Sequence, residues 1–336
     1  MQDATNTFDM PLSGLPSRDA WLEKVSGLVD EDGYVERLGD RHAAVFVEEK
    51  STLLVTFETF QNIDALSEDA QPLGWDMLKA LGWSHLCLIS DGDTWFRDAR
   101  VYGYFDRLVD DGFFEDFDQV IFYGAGACGY AAAAYSVASP GAKVIVLQPQ
   151  ATLDPRVTEW DDRFRHMRRV SFDDRYGYAP DMLDAAKQAF VIYDPEIELD
   201  AMHAALFTRP NVTKFRMRFL GEQLESSLMR MNVLFRILAQ ASADKLNRTS
   251  LARLFRARHA DGGYQFNLLQ RVTGDRRHYL TIILARNVLE KRAARPFKKA
   301  LAVALRICEE EGRPMPPLPA SKAPPPQAAE AKDRIA

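Results

Sequence analysis

The stretch of sequence that decides the fold runs from residue 119 to residue 153 and reads QVIFYGAGACGYAAAAYSVASPGAKVIVLQPQATL. Two short apolar runs in it, Val120 to Tyr123 and Lys143 to Leu147, predict buried strands. Between them stand a glycine-rich turn, 124–129, and a run of small residues, 130–138, that predicts a helix. Apolar strands that flank a helix are typical of a βαβ unit in a parallel sheet covered on both faces. The core is therefore predicted to be α/β.

The turn before the helix raises the question of function. In the α/β-hydrolase fold, the sequence G-x-S-x-G at such a turn is the nucleophile elbow, which holds a serine above the sheet near the N–H groups of an oxyanion hole. The turn of this chain can be aligned with that motif in two frames. In one, Gly126 is central and has no side chain for attack. In the other, Cys128 is central, but Tyr130 stands where a glycine lets helix and strand pack closely.

A longer segment favours the first frame. The sequence YGAGACGYAAAAYSVASPGAKVIVLQPQATLDP, residues 123–155, resembles a bacterial α/β-hydrolase-like family found with capsule and exopolysaccharide genes. The elbow of that family reads YGxSMGGYAAL and is followed by a strand and SPQxxLDP. Aligning residues 129–132 with its GYAA places Gly126 at the serine position and Cys128 at a glycine position. The resemblance extends from Tyr34 to Leu228 and implies an α/β-hydrolase-like, mostly parallel sheet with helices on both faces.

Two cofactor-dependent interpretations are not supported by the residues. Relatives in this family often carry the name phosphoadenosine phosphosulfate reductase, but the chain has no Ser-Gly-Gly-Lys-Asp-like nucleotide loop and no C-terminal Glu-Cys-Gly segment. The spacing of Gly124, Gly126 and Gly129 also matches a dinucleotide fingerprint, yet residues 148–150, Gln-Pro-Gln, follow the next strand where an acidic residue is needed. We therefore expect no cofactor.

No metal site is expected either. The three cysteines, Cys87, Cys128 and Cys308, are far apart and form no CxxC motif. The acidic turn at 91–93 does not complete a calcium-binding loop.

Length and composition fit one large α/β domain with an appendage, because the chain has 336 residues and is 47% hydrophobic. It has neither a signal-like N-terminal run nor about 18 consecutive apolar residues, so we expect a soluble, cytoplasmic protein without a membrane span. The predicted organisation has four parts: a flexible lead (1–17), an α/β-hydrolase-like domain (18–223), a basic helical module (224–311) and a disordered tail rich in Pro and Ala (312–336).

The charge of the chain is uneven. Residues 241–300 contain fourteen Lys and Arg against four Asp and Glu, although the whole chain carries a net charge of −6. A basic segment joined to an acidic domain indicates either an anionic polymer or protein partner bound by the helices, or docking of the helices on the acidic domain of the same chain. The predicted helices between Leu224 and Glu311 form a hairpin array typical of an interaction module.

The remaining triad positions are read from the later strands. Asp194 follows the strand Ala189 to Tyr193, where an α/β-hydrolase places the acid of its triad. The base belongs after the last strand, Val212 to Phe219, and relatives have a glycine-histidine pair there, whereas this chain has Gly221 followed by Glu222. Serine is thus replaced by Gly126 and histidine by Glu222. Loss of both argues against Ser-His-Asp hydrolysis.

A cysteine mechanism is the alternative. Cys128 stands at the helix N-terminus, which stabilises a thiolate, and His203, in a DPxxxxDxxH pattern that the family shares, could assist it. The same cysteine could equally be an ordinary buried residue. Catalytic residues, if the protein is active, would be Cys128, Asp194 and His203, in a hydrolase or acyltransferase acting on an ester or thioester.

A ligand-binding crevice is expected at the carboxyl ends of the strands. Backbone N–H groups at the turn can hold an anion without any side chain, and the loop after the third strand can add donors. The expected ligand-binding residues are Gly124, Ala125, Gly126, Ala127 and Gly129 of the turn, Thr59 and Phe60 of the loop, and Trp95 and Asp98 at the pocket rim. The sequence thus favours a non-hydrolytic accessory protein that binds a small or sugar-linked anionic ligand; the resemblance adds a role in surface polysaccharide production.

Overall fold

The computed structural model describes residues 7–30 and 32–317. The chain forms two compact units, of which the first ends at Gly263 and the second begins at Tyr264. The boundary therefore lies later than the expected one at residue 223. The reason is that the helical segment 224–254 packs on the sheet: Lys143 Nζ donates to the carbonyl oxygens of Ala241 (2.8 Å) and Ser242 (3.1 Å).

The first unit contains one eight-stranded sheet. Its strands are β1 (Gly33–Arg37), β2 (His42–Val47), β3 (Thr52–Thr59), β4 (Ser84–Ser90), β5 (Gln119–Ala125), β6 (Lys143–Leu147), β7 (Gln188–Tyr193) and β8 (Val212–Arg216). Their order across the sheet is β1-β2-β4-β3-β5-β6-β7-β8. Only the β1/β2 and β2/β4 pairs are antiparallel. This is the strand arrangement of the α/β-hydrolase fold, as the sequence predicts.

The helices of the first unit occupy the connections between strands and the segment that follows β8. They are α1 (Arg18–Val29), α2 (Phe60–Leu66), α3 (Gly74–Leu81), α4 (Ala99–Asp110), α5 (Ala127–Tyr135), α6 (Pro155–Thr158), α7 (Ala179–Met182), α8 (Glu198–Leu206), α9 (Leu224–Arg230), α10 (Leu234–Ser242) and α11 (Arg248–Leu254). Short 3-10 helices add Thr7–Asp9, Phe113–Asp116, Ser136–Ala138, Arg165–Arg169, Leu183–Ala185 and Phe255–His259.

Side chains alternate between the two faces of the sheet along each strand, and on both faces most of them are apolar and buried. On β3, Val55 and Phe57 contribute to the cluster that contains Tyr104 of α4 and Tyr135 of α5. On the other face, Cys87 of β4 joins a cluster with residues of α1 and α3. Phe8 and Leu12 are also buried in this second cluster, although they belong to the predicted flexible lead; residues 1–6 of that lead lie outside the described part of the chain.

One predicted helix is broken. The apolar periodicity of residues 224–243 predicts a single amphipathic helix, but the structure has α9 and α10 separated at Asn232. Asn232 has a φ of 53°, in the left-handed region that asparagine tolerates better than most residues. The apolar residues of α9 and α10 follow one helical periodicity in the sequence, so periodicity alone predicts a single helix.

The second unit is helical, as expected. It contains most of α12 (Gly262–Gly274), together with α13 (His278–Lys291) and α14 (Arg295–Glu310). Leu269, Ala285, Val288 and Phe297 form its main core. Its basic side chains are mostly exposed, and the predicted tail lies outside the described residues from position 318 onward. Within the described residues, no helix is both long enough and apolar enough to cross a membrane.

Candidate functional site

The turn between β5 and α5 is a sharp strand-to-helix turn centred on Gly126. Gly126 has φ 57° and ψ −122°, a left-handed conformation that glycine adopts without the steric penalty of a side chain. Its N–H donates to the carbonyl oxygen of Leu147 on β6 (2.8 Å), and its own carbonyl oxygen accepts from the N–H of Tyr130 (3.0 Å). A Cβ atom added at Gly126 would have no other heavy atom within 4 Å. The turn is therefore rigidly placed, with open space where a side chain would stand.

The other two glycines of the turn are required by packing. A Cβ atom on Gly124 would lie 2.2 Å from the carbonyl oxygen of Cys128, and one on Gly129 would lie 3.1 Å from the carbonyl oxygen of Gly124. These contacts involve backbone, which cannot move aside cheaply. Gly124 and Gly129 thus let α5 approach β5 closely, whereas Gly126 is free of such contacts.

A cleft of about 570 Å³ opens above the turn. Its lining combines Ala125 and Gly126 with residues of α2, α8 and α9 and of the segments that follow β6 and β8. The polar and charged lining residues are Asn62, Gln148, Gln150, Arg163, Asp200, Glu222, Gln223, Glu225 and Ser226. Gly126 and Glu222, the two positions inferred from the sequence to be altered, thus line the same cleft.

Asp194 is not among the lining residues of this cleft. Its side chain is fully buried; Oδ1 accepts the N–H of Glu196 (2.9 Å) and Oδ2 accepts the N–H of Gly221 (2.7 Å). The carboxylate therefore ties the end of β7 to the loop after β8, next to Glu222. The side chain of Glu222 is exposed.

Cys128 is buried beside a different cavity. Its thiol lines a space of about 230 Å³ below the loop between α2 and α3, and Cys128 is not among the residues that line the larger cleft. Burial, together with the nearby carboxylates of Glu225 and Glu58, raises the pKa of the Cys128 thiol well above its ordinary value. The reactive thiolate is disfavoured in this position.

His203 is occupied by other partners. The residue is fully buried on α8; its Nδ1 accepts the N–H of Ala151 (3.1 Å), which places the proton on Nε2, and Nε2 donates to Asp161 (3.0 Å). The ring also packs against Trp160, with centroids 4.6 Å apart. Both ring nitrogens are thus engaged away from the thiol of Cys128.

Arg163 links His203 to the cleft. Its guanidinium binds the carboxylates of Asp161 and Asp200, each with a nitrogen-to-oxygen distance of 2.7 Å. Burial opposes ionisation of Asp161, but hydrogen bonds from His203 and Arg163 outweigh it and lower the pKa of that carboxyl. Gln148 completes the network by donating to Asp200 (2.7 Å), from a backbone with φ 47°. These contacts hold the polar wall of the cleft.

The four remaining predicted ligand residues have structural partners. Thr59 caps α2 by accepting the N–H of Asn62 (3.0 Å), and Phe60 packs edge-on against a tryptophan of α1. Trp95 is buried, with its indole N–H donating to Gln150 (3.1 Å). Asp98 caps α4 by accepting the N–H of Arg100 (2.8 Å). None of the four is among the residues lining the larger cleft.

Two buried or half-buried carboxylates were not anticipated from the sequence. Glu225 on α9 accepts the hydroxyl of Tyr123 (2.6 Å) and lines both cavities. Burial and the charge of Glu58 raise the pKa of Glu225 to about 7, although the hydrogen bond from Tyr123 opposes the rise. Glu58 is buried at the end of β3. A charged residue directly after the apolar run 53–57 was the available signal for Glu58; Glu225 looks like an ordinary helix residue.

Comparison with known proteins finds only distant structural similarity. No protein-family model and no curated protein matches the chain. Among solved structures, an esterase from Pyrobaculum calidifontis is 14% identical with a TM-score of 0.43, over 71% of this chain and 93% of its own. The capsule O-acetyltransferase of Neisseria meningitidis serogroup A is 10% identical with a TM-score of 0.41, over 60% of this chain and 93% of its own.

A third match is to a chain of the Glycosylation Associate Protein complex from Streptococcus agalactiae. It is 13% identical with a TM-score of 0.43, over 62% of this chain. The match spans 46% of the streptococcal chain, less than half of its length.

Proposed function

We propose that this protein is a catalytically degenerate α/β-hydrolase-fold protein that binds a ligand in the cleft without hydrolysing it. One observation carries the proposal: the residue at the centre of the strand-to-helix turn, with φ 57° and ψ −122°, is Gly126. Attack on an ester needs a hydroxyl or thiol at that point, and glycine supplies neither.

The base side of the site supports the same conclusion. Glu222 follows the glycine whose N–H binds Asp194, and it lines the cleft with Gly126. In a triad this is the place of a histidine, which the acid orients and which takes the proton of the nucleophile. The side chain of Glu222 has no N–H that it could donate to the acid. The retained Asp194 is explained by its two backbone hydrogen bonds, which brace the loop.

The lining of the cleft favours a polar, neutral ligand. The carboxylates of Asp200 and Glu222, together with Glu225, whose pKa is raised to about 7, outnumber the single guanidinium of Arg163, so the electrostatics do not favour the anion expected from the turn alone. Amide and hydroxyl side chains supply both donors and acceptors. The neutral members of this set are Asn62, Gln148, Gln150, Gln223 and Ser226. A saccharide, with many hydroxyl groups, matches this lining.

Alanine substitution at Asn62 or Gln223 is expected to weaken saccharide binding roughly fivefold each, because each change removes about one hydrogen bond of ~1 kcal/mol. Both side chains are exposed and line the cleft. The measurement is calorimetric titration of the full chain with neutral and acidic oligosaccharides. Lys24→Ala, an exposed change on α1, is the control. Tighter binding of acidic than of neutral sugars, or equal affinities in all variants, would contradict the proposed ligand class.

The wider role proposed here is accessory. The resemblance of residues 123–155 to capsule-associated proteins supports participation in surface polysaccharide production, on the cytoplasmic side of the membrane. A saccharide-binding cleft without a nucleophile fits such a role, since it can hold a chain or a precursor without cleaving it.

The alternative function is a hydrolase or acyltransferase that uses Cys128. The buried position of this thiol, its raised pKa and the engaged nitrogens of His203 give this alternative less support. Only its place at the N-terminus of α5 favours a thiolate.

Labelling of the native protein with a thiol-reactive probe separates the two functions. Cys128 is expected to react slowly at neutral pH and faster only in alkaline solution, because its raised pKa keeps the thiol protonated. Wild-type protein and Cys128→Ser are both expected to show no turnover of model esters or thioesters above buffer. Rapid labelling of Cys128 near neutral pH, with turnover that disappears in Cys128→Ser, would make this protein a cysteine enzyme and refute the proposal.

A further inference from the structure

A cluster of potential metal ligands lies between β3 and β4, away from the larger cleft. The two strands are parallel, and Thr56 pairs in register with Cys87. Because side chains alternate, Thr56 and Glu58 on β3 share one face of the sheet with His85 and Cys87 on β4. All four residues are buried.

The potential ligand atoms are close together. A carboxylate oxygen of Glu58, a ring nitrogen of His85 and the sulfur of Cys87 all lie within 4.8 Å of one another. The Glu58 Oε1 to Cys87 Sγ distance is 3.4 Å. In a tetrahedral zinc site, with bonds of about 2.0–2.3 Å, ligand atoms stand roughly 3.5 Å apart. Side-chain shifts of about 1 Å would therefore bring the three atoms around one ion.

Thr56 occupies the centre of the same group. Its hydroxyl lies 2.6 Å from Glu58 Oε1 and 2.9 Å from His85 Nε2. The hydroxyl oxygen is thus placed to act as a further, neutral ligand. The backbone N–H of Leu73 also donates to the Glu58 carboxylate, at 3.1 and 3.2 Å, and orients it. Such an outer contact is typical of carboxylates that bind metals.

Among the described residues, no Lys or Arg forms an ion pair with Glu58, and Nδ1 of His85 has no hydrogen-bond partner. A divalent ion would offset the charges of a carboxylate and a thiolate, with a neutral imidazole as third ligand.

We propose that Glu58, His85 and Cys87 bind a divalent transition-metal ion of the zinc class, with the Thr56 hydroxyl or a water molecule as the fourth ligand. Thiolate and imidazole are ligands that zinc and its neighbours prefer, whereas magnesium and calcium require oxygen. The ion would join β3 to β4 directly before the loop that follows β3. This makes it a structural ion in the first unit rather than part of the cleft.

The cavity of about 230 Å³ provides a path for the ion, because Glu58 lines it. The other charged residues of this cavity are mostly acidic and would attract a cation. They are Glu68, Asp69, Asp76, Glu225 and the single basic residue Lys79.

Titration of the chelator-treated full chain with Co²⁺ tests the proposal. We expect one equivalent to bind, with a thiolate-to-cobalt absorption band in the near ultraviolet and d–d bands typical of a four-coordinate site; added Zn²⁺ should remove both. Cys87→Ser should lose the thiolate band, and Glu58→Gln should weaken binding at least tenfold. Cys308→Ser removes another buried cysteine, in the second unit, and should leave the spectrum unchanged.

The wild-type titration is decisive even where a variant fails to fold. Absence of a thiolate band in the folded wild-type protein would overturn the proposal. A band that persists in folded Cys87→Ser, or that disappears in Cys128→Ser or Cys308→Ser, would place the metal elsewhere and overturn it as well.

Discussion

Serine at position 126 and histidine at position 222, introduced together, are expected to produce ester hydrolysis that neither substitution produces alone. The space for a serine side chain is open at Gly126, the glycine N–H before position 222 already binds Asp194, and both positions line one cleft. Triad residues act as a unit, so a serine without its base, or a base without its serine, gains little.

The expected gain is at least about tenfold in hydrolysis of an activated ester over either single variant, since general-base assistance contributes about 10²–10⁴-fold in evolved sites. The serine must adopt the strained positive-φ backbone of Gly126, at a cost of about 1–3 kcal/mol. Folding of each variant is checked by circular dichroism before rates are compared. The matched control adds Asp194→Asn to the double variant and should remove the gain.

Two results would contradict the assignment of these positions. One is equal activity of Gly126→Ser and the double variant, which would show that residue 222 does not reach the serine. The other is activity that survives Asp194→Asn, because a histidine oriented by that carboxylate should depend on it strongly.

Gly124→Ala is expected to destabilise the first unit by more than about 3 kcal/mol, at or above the usual range for overpacking. The added methyl group would lie 2.2 Å from the carbonyl oxygen of Cys128 and 2.9 Å from the backbone nitrogen of Gly129. Relief requires α5 to move away from β5, which breaks core packing. Urea unfolding monitored by tryptophan fluorescence gives the free energy of unfolding.

Two alanine substitutions serve as controls for Gly124→Ala. Gly103 is exposed within α4 with nothing within 4 Å of an added Cβ, so Gly103→Ala should stabilise the unit by about 0.5–1 kcal/mol. Gly126→Ala has the same open space but a strained positive-φ backbone, so it should cost about 1–3 kcal/mol. If Gly124→Ala proved no worse than Gly126→Ala, close approach of α5 to β5 would not be the reason for this glycine.

The sequence predicted correctly that some of the candidate ligand-binding residues line the cleft, but not all of them. Ala125 and Gly126 could be placed there because the carboxyl ends of parallel strands meet at one edge of a sheet. The four outlying candidates, Thr59, Phe60, Trp95 and Asp98, follow strands in the same way, yet their side chains cap helices or fill the core. The position of a residue after a strand does not determine where its side chain points.

The sequence by itself determined the α/β core, the parallel unit around residues 119–153 and the glycine at the reactive point of the turn. These features depend on local patterns, namely apolar runs of strand length and glycines at fixed spacing, which act within a few residues. Only the tertiary structure decided which groups bind His203 and that Glu225 lines two cavities. It also decided that Glu58, His85 and Cys87 are buried together and that residues 224–259 pack with the sheet. Those arrangements depend on side chains far apart in the chain, whose contacts are set by packing and burial rather than by any local pattern.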